Sequence, residues 1–159
     1  MIIVSDSSPL HYLIAIGKVE VLRALFGSIV VPGVVVSELT HAKAPEAVRG
    51  WMLKPPDWLT VRDPLQIDRS LPRLDAGEAA AISLAKELPA DALLIDDRRG
   101  KLAAQSLGLV TIGTLAVIER AAADGLLELS STLDALLATN FRAPADEVAR
   151  LRGKARPTG

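Results

Sequence analysis

The sequence predicts an α/β fold in which a mainly parallel central sheet carries helices on both faces. Three observations point there. Short aliphatic runs of strand length recur at Ile2–Ser5, Ile29–Val31, Ala92–Ile95 and Leu109–Ile112. Segments with apolar residues at helical spacing separate them. Half of the 159 residues are apolar but only 3% are aromatic, so Ala, Val, Leu and Ile build the interior, as strands buried on both faces require.

Ile2–Ser5 reads as the first strand, followed at once by Asp6. Ser8-Pro9 then pairs an N-cap with proline at the first helical position. Leu10, Leu13 and Ile14, and after them Val19, Leu22 and Phe26, keep helical spacing, with Gly17 dividing two short helices. The strand Ile29–Val31 stops at Pro32-Gly33. Val34–Thr40 reads as a helix although its β-branched valines disfavour one. Ala44–Leu53 is a further helix. Lys54–Arg73, rich in proline and charge, reads as a surface connection with an edge strand at Leu59–Arg62, expected to form a mobile rim of a binding groove.

Asp75–Leu88 is a helix with Asp75 as cap and Glu78 three residues on. The strand Ala92–Ile95 leads to the helix Arg98–Leu107, closed by Gly108, and then to the strand Leu109–Ile112. Helices follow over Gly113–Ala123, stopped by Gly125, and over Ser130–Thr139 and Ala143–Leu151. A basic tail over residues 150–159, with Arg150, Arg152, Lys154 and Arg156, is expected to fray. Residues 1–159 read as a single domain with no internal repeat, long enough to bury roughly 70% of the unfolded surface.

Composition removes several functions. With no cysteine, disulfides, thiol catalysis and cysteine-ligated metal centres are excluded. A net charge of −1 gives no bulk attraction to nucleic acid, so any such binding needs a local basic patch. No basic, apolar leader opens the chain, and no apolar run approaches the ~18–20 residues of a membrane span. A cytoplasmic protein without membrane contact is expected. The aliphatic excess also leaves apolar surface for a homodimer to cover.

In open parallel sheets, ligands bind at the carboxyl ends of the strands. Asp6, and Asp96 with Asp97, follow strands there, while Glu38 and Glu78 fall on helices expected to approach the same edge. Taken singly, Asp6 suits a turn, Asp97 an N-cap, and Asp75 with Glu78 a capping box. Together, clustered carboxylates repel one another unless cations compensate. Hard cations such as Mg²⁺ or Mn²⁺ take oxygen donors of this kind. His11 and His41 are the only histidines, too few for the usual zinc or two-histidine chemistry.

The ordered segments "VSDSSPL", "VVSEL", "LDAGEAAAISLA" and "LLIDDRRGKLAAQSLGLVTIGT" resemble the PIN domain, and look closest to the branch of prokaryotic proteins akin to VapC-type toxins. The resemblance covers roughly the first four-fifths of the chain. It implies a three-layer α/β/α sandwich and a metal-dependent ribonuclease with three or four clustered acids. On this reading Asp6, Glu38, Glu78, and Asp96 or Asp97 bind Mg²⁺ or Mn²⁺. Ser7, Asp75, Arg98 and Lys101 support the site or hold RNA. A small antitoxin would block the acidic groove. A catalytically inactive RNA-binding or scaffold module of the same fold is the alternative. A phosphoaspartate phosphotransferase, which also starts from an acid after the first strand, needs a second acid where this chain has Ser8.

Overall fold

The computed structural model describes residues 1–155; Arg156 and the rest of the basic tail lie outside it. Five short strands form one sheet: β1 (Ile3–Ser5), β2 (Ile29–Val31), β3 (Leu59–Val61), β4 (Ala92–Leu94) and β5 (Thr111–Ile112). Their order is β3-β2-β1-β4-β5, and every pairing is parallel. Between them run α1 (Ser7–Ala15), α2 (Glu20–Phe26), α3 (Gly33–Leu39), α4 (Glu46–Leu53), α5 (Ala76–Glu87) and α6 (Arg98–Ser106). The chain continues through α7 (Thr114–Ala123), α8 (Leu129–Leu137) and α9 (Ala145–Ala155).

Strand alternation divides the core into the two outer layers. Ile3, Ile29, Val31 and Leu94 pack with α1, α2, α4 and α7, and with Leu133 and Leu151 from α8 and α9. Val4, Leu93 and Ile95 face the other way, onto Ile82 and Ala85 of α5 and Ala103 and Ala104 of α6. The small residues of α5 and α6 let these two helices lie close on the sheet. The result is the expected α/β/α sandwich. α3 is helical despite its valines because Val35 and Leu39, one turn apart, are both buried.

The glycines at Gly17, Gly108 and Gly125 stand just past helix ends with φ of 72°, 82° and 74°, a region that side chains with a Cβ rarely occupy. Two expectations are corrected. The connection after β3 is strapped to α5 rather than loose. Leu65 N–H donates to Glu87 Oε2 at 2.9 Å, Asp68 N–H to Ser83 Oγ at 2.9 Å, and Lys86 pairs with Asp68 at 2.8 Å. The basic stretch from residue 150 continues as helix to Ala155 instead of fraying. Arg150 holds Glu119 at 3.0 Å and Arg152 holds Asp134 at 2.6 Å, tying α9 to α7 and α8. No helix of the described residues is long and apolar enough to cross a membrane.

Candidate active site

From β1 the chain adds β2 and β3 on one side, then β4 and β5 on the other. The strand order therefore reverses between β1 and β4, where parallel sheets open a crevice beyond their carboxyl ends. A cleft of ≈ 800 Å³ lies there. All the site residues predicted from sequence line it except Glu38: Asp6, Ser7, Asp75, Glu78, Asp96, Asp97, Arg98 and Lys101. Glu38 faces a smaller cavity of ≈ 200 Å³ shared with Ser7, Ser8 and His11. No residue of Lys54–Arg73 lines the cleft, which the connection after β3 reaches only with Asp75, the cap of α5.

Asp6 ends β1 and precedes α1. Its backbone N–H donates to Leu94 O at 2.9 Å, which pins the β1 end beside the β4 end. It occupies the N-cap position, yet its side chain makes no cap hydrogen bond. The residue is 4% exposed, and Oδ1 is buried without a hydrogen-bond partner among the described residues. Burial pushes its pKa up to about 7; a backbone hydrogen bond from Ser7 opposes this, while Asp75, Glu38 and Asp96 add repulsion. A buried carboxylate oxygen without a donor is not what a turn role alone requires.

Glu78 opens α5 as the third residue after its cap. Its N–H donates to Asp75 Oδ1 at 2.8 Å, so that half of the expected capping box is present. Its own carboxyl is buried in the cleft, and its pKa is raised by burial first, then by a hydrogen bond to the Asp75 carboxyl and by the charges of Asp75, Asp97 and Asp6. Space for these acids comes from glycines. A Cβ on Gly100 would sit 3.1 Å from Glu78 Oε2, and one on Gly77 would overlap the Glu38 carboxylate. Glu38 in turn accepts from Ser7 Oγ at 2.7 Å. It is exposed beside the start of α5, and its charge also acts on Asp6.

The β4 end is better supplied with donors. Asp96 Oδ1 accepts from Thr114 N–H at 2.7 Å, and Oδ2 from Thr114 Oγ1 at 2.6 Å and Ser8 Oγ at 2.9 Å. Asp97 caps α6, accepting from Gly100 N–H at 3.0 Å through Oδ2. A Cβ on Gly113 would meet Lys101 Nζ at 2.9 Å and Asp96 Oδ1 at 3.1 Å, so this glycine lets the ammonium lie low over the cleft floor. Sequence reasoning missed Thr114, whose place after Gly113 looks like an ordinary helix start. It also missed a group from the α8–α9 connection: Asn140, Phe141 and Arg142 line the cleft together with Tyr12.

The family model DUF3368, described as a PIN domain, matches residues 2–156. The chain belongs to the PIN domain family. PIN domains are generally nucleases and usually bind a divalent metal. A solved structure of a PilT N-terminus domain protein from Sulfolobus solfataricus P2 has the same fold, with a TM-score of 0.51 at 17% identity over 91% of this chain and 100% of the other. No curated protein matches the sequence significantly.

This PIN domain's donors suit a hard cation in kind. They are carboxylate and hydroxyl oxygens, and Asp6 Oδ1 is a buried acceptor without a partner. They do not form a closed cage: among the described residues no three His, Asp or Glu side chains are gathered closely enough to hold an ion by themselves. Magnesium-type ions are compatible with this. They keep several waters and use one or two carboxylates plus phosphate oxygens rather than an all-protein shell.

Proposed function

We propose that this PIN domain is a metal-dependent endoribonuclease, the toxin of a toxin–antitoxin pair, that hydrolyses RNA phosphodiesters with Mg²⁺ or Mn²⁺ in the acidic cleft. The observation that carries the reading is Asp6: a buried carboxylate at the strand-order reversal, with one oxygen unpartnered and its pKa raised to about 7. Such a group destabilises the empty fold unless a cation completes it. Asp6 and Glu78 would hold the ion with Asp96 or Asp97, and Glu38 would act through Ser7.

When bound, the ion supplies a Lewis acid that activates water and neutralises charge on the leaving oxygen. The residues do the rest. Asp6 and Glu78 give up protons on loading, so metal affinity rises with pH across their titration range. Arg98 and Lys101, at the same cleft, hold the phosphate as charge develops on its oxygens. Hydrolysis adds water at phosphorus and breaks the bond to the 3′ oxygen, which leaves carrying a proton.

The test joins calorimetric titration with Mn²⁺ to cleavage of RNA with and without a chelator. Metal binding together with chelator-sensitive cleavage supports the reading. Metal binding or RNA binding without cleavage favours the inactive RNA-binding module. An antitoxin that occupied the cleft would inhibit cleavage in competition with RNA. A homodimer would cover apolar side chains such as the exposed Leu53, Val61 and Leu65. A monomer mass by light scattering at micromolar concentration would remove that part.

A further inference from the structure

Beside its acids the cleft has a wall of different chemistry. Tyr12 of α1 and Phe141 of the α8–α9 connection meet edge to face with ring centroids 4.9 Å apart. Both are half-buried and both line the cleft. The Tyr12 hydroxyl donates to Asn140 Oδ1 at 2.8 Å. That bond fixes the amide and leaves its Nδ2 donors without a partner among the described residues. Burial, with the Asp96 charge, raises the Tyr12 pKa, so the phenol stays a donor. Arg142 follows, exposed and in no ion pair among the described residues.

A structural role would need only packing here. An exposed amide held at a defined angle, next to two rings and an uncommitted guanidinium, supplies more than packing. Bases stack on aromatic and guanidinium planes, and amides hydrogen-bond their edges. The same cleft already offers Arg98 and Lys101 for phosphate. We propose that Tyr12, Asn140 and Phe141 form a base-binding subsite for the nucleotide adjoining the scissile phosphate, with Asn140 Nδ2 donating to an acceptor on the base edge. The subsite rests on the nuclease reading of the cleft. Asn140 and Phe141 lie beyond the motifs that carry the family resemblance, and Tyr12 just after the first of them.

The probe is a short fluorescent RNA and the same RNA with one abasic position, which keeps every phosphate and removes one base. Anisotropy is read in EDTA and, before cleavage proceeds, in Mn²⁺. The parent is expected to prefer the intact RNA by roughly tenfold, the usual scale of one stacked base. Phe141→Leu keeps the apolar packing and loses the ring. It should cut that preference below about threefold, with affinity for the abasic RNA unchanged and the melting temperature lowered by no more than the few degrees that one aromatic pair contributes. Asn140→Ala, at an exposed position, should flatten discrimination among the four bases placed there. A folded Phe141→Leu that keeps the full preference, or an Asn140→Ala that keeps full discrimination, overturns the subsite while cleavage leaves the nuclease reading standing. A parent that binds neither RNA in either condition removes both.

Discussion

The two strand ends that frame the cleft carry the same residue in opposite conditions. At the β4 end Asp96 has both oxygens engaged, by Thr114 and Ser8, and Asp97 caps α6. At the β1 end Asp6 keeps one oxygen buried without a donor, and its pKa rises to about 7. The fold thus directs hydroxyl and amide donors to the β4 pair, whereas the Asp6 side chain has the Ser7 backbone N–H and, among the described residues, no donor at Oδ1. Acids satisfied by the protein stabilise the empty fold, whereas an acid left unsatisfied awaits something from outside. The comparison yields four predictions.

The largest effect belongs to Asp6→Asn. Metal-dependent RNA cleavage should fall by orders of magnitude, since the proposed ion loses an anchoring charge. In chelator the same variant should melt at the same temperature as the parent or higher, because a repulsive buried charge is gone. Asp124→Asn, at the exposed end of α7, is the control. Equal cleavage by Asp6→Asn and parent in Mn²⁺ would make the two strand ends alike and end the contrast.

Titration sharpens the contrast without mutation. In the folded chain Asp6 holds its proton from the ordinary 3.8 up to about 7, and Glu78 is shifted the same way. The native state therefore binds more protons than the unfolded chain over this range, so these acids make metal-free stability fall as pH rises from about 4 to 7. Their penalty is absent below the unfolded value and complete above the folded one. Asp6→Asn should flatten the slope, and Mn²⁺ at pH 7 should recover stability that rises with the logarithm of its concentration above Kd. Melting curves at several pH values, with and without Mn²⁺, check both. A slope identical in parent and Asp6→Asn would contradict the raised pKa.

Much of this was legible in sequence because its causes are local. The strands announced themselves as aliphatic runs, and Gly17, Gly108 and Gly125 marked helix ends because their backbone geometry needs no partner to explain it. The acids at strand ends were equally visible, since topology delivers such positions to one edge. What stayed hidden depends on long-range contact. Glu38 accepts a hydrogen bond from Ser7, 31 residues away in sequence. Asn140 reaches Tyr12 across 128 positions. The basic tail looked frayed because Glu119, the partner of Arg150, lies on another helix.

Asp96→Asn tests the satisfied side and should move stability in the opposite direction from Asp6→Asn. An amide in place of the carboxylate keeps one acceptor and turns a donor toward Thr114 or Ser8, which leaves a part-buried group mismatched. The cost expected is about 1–3 kcal/mol in chelator, or some 2–4 °C per kcal/mol for a chain of this size. Denaturant melts of the two variants side by side read the sign. Two destabilised variants would mean that Asp6 has a partner after all.

Asp97→Asn should have the smallest effect on the fold and separates the two adjacent aspartates. Its structural task is to cap α6 with Oδ2 toward Gly100 N–H at 3.0 Å, and asparagine caps about as well as aspartate. Metal-free stability should therefore stay within about 0.5 kcal/mol of the parent, typical of changes that break no specific feature. Asp97 also repels Glu78, so removing its charge should, if anything, ease that neighbour. Function supplies the discriminating readout. Among the described residues the cap bond of Asp97 goes to Oδ2 and none reaches Oδ1, whereas both Asp96 oxygens are engaged. If Asp97 gives that oxygen to the ion, Asp97→Asn weakens Mn²⁺ binding severalfold while the fold is untouched. Unchanged Mn²⁺ affinity assigns the role at the β4 end to Asp96, whose hydroxyl and amide donors would then be orienting a ligand rather than merely closing a turn.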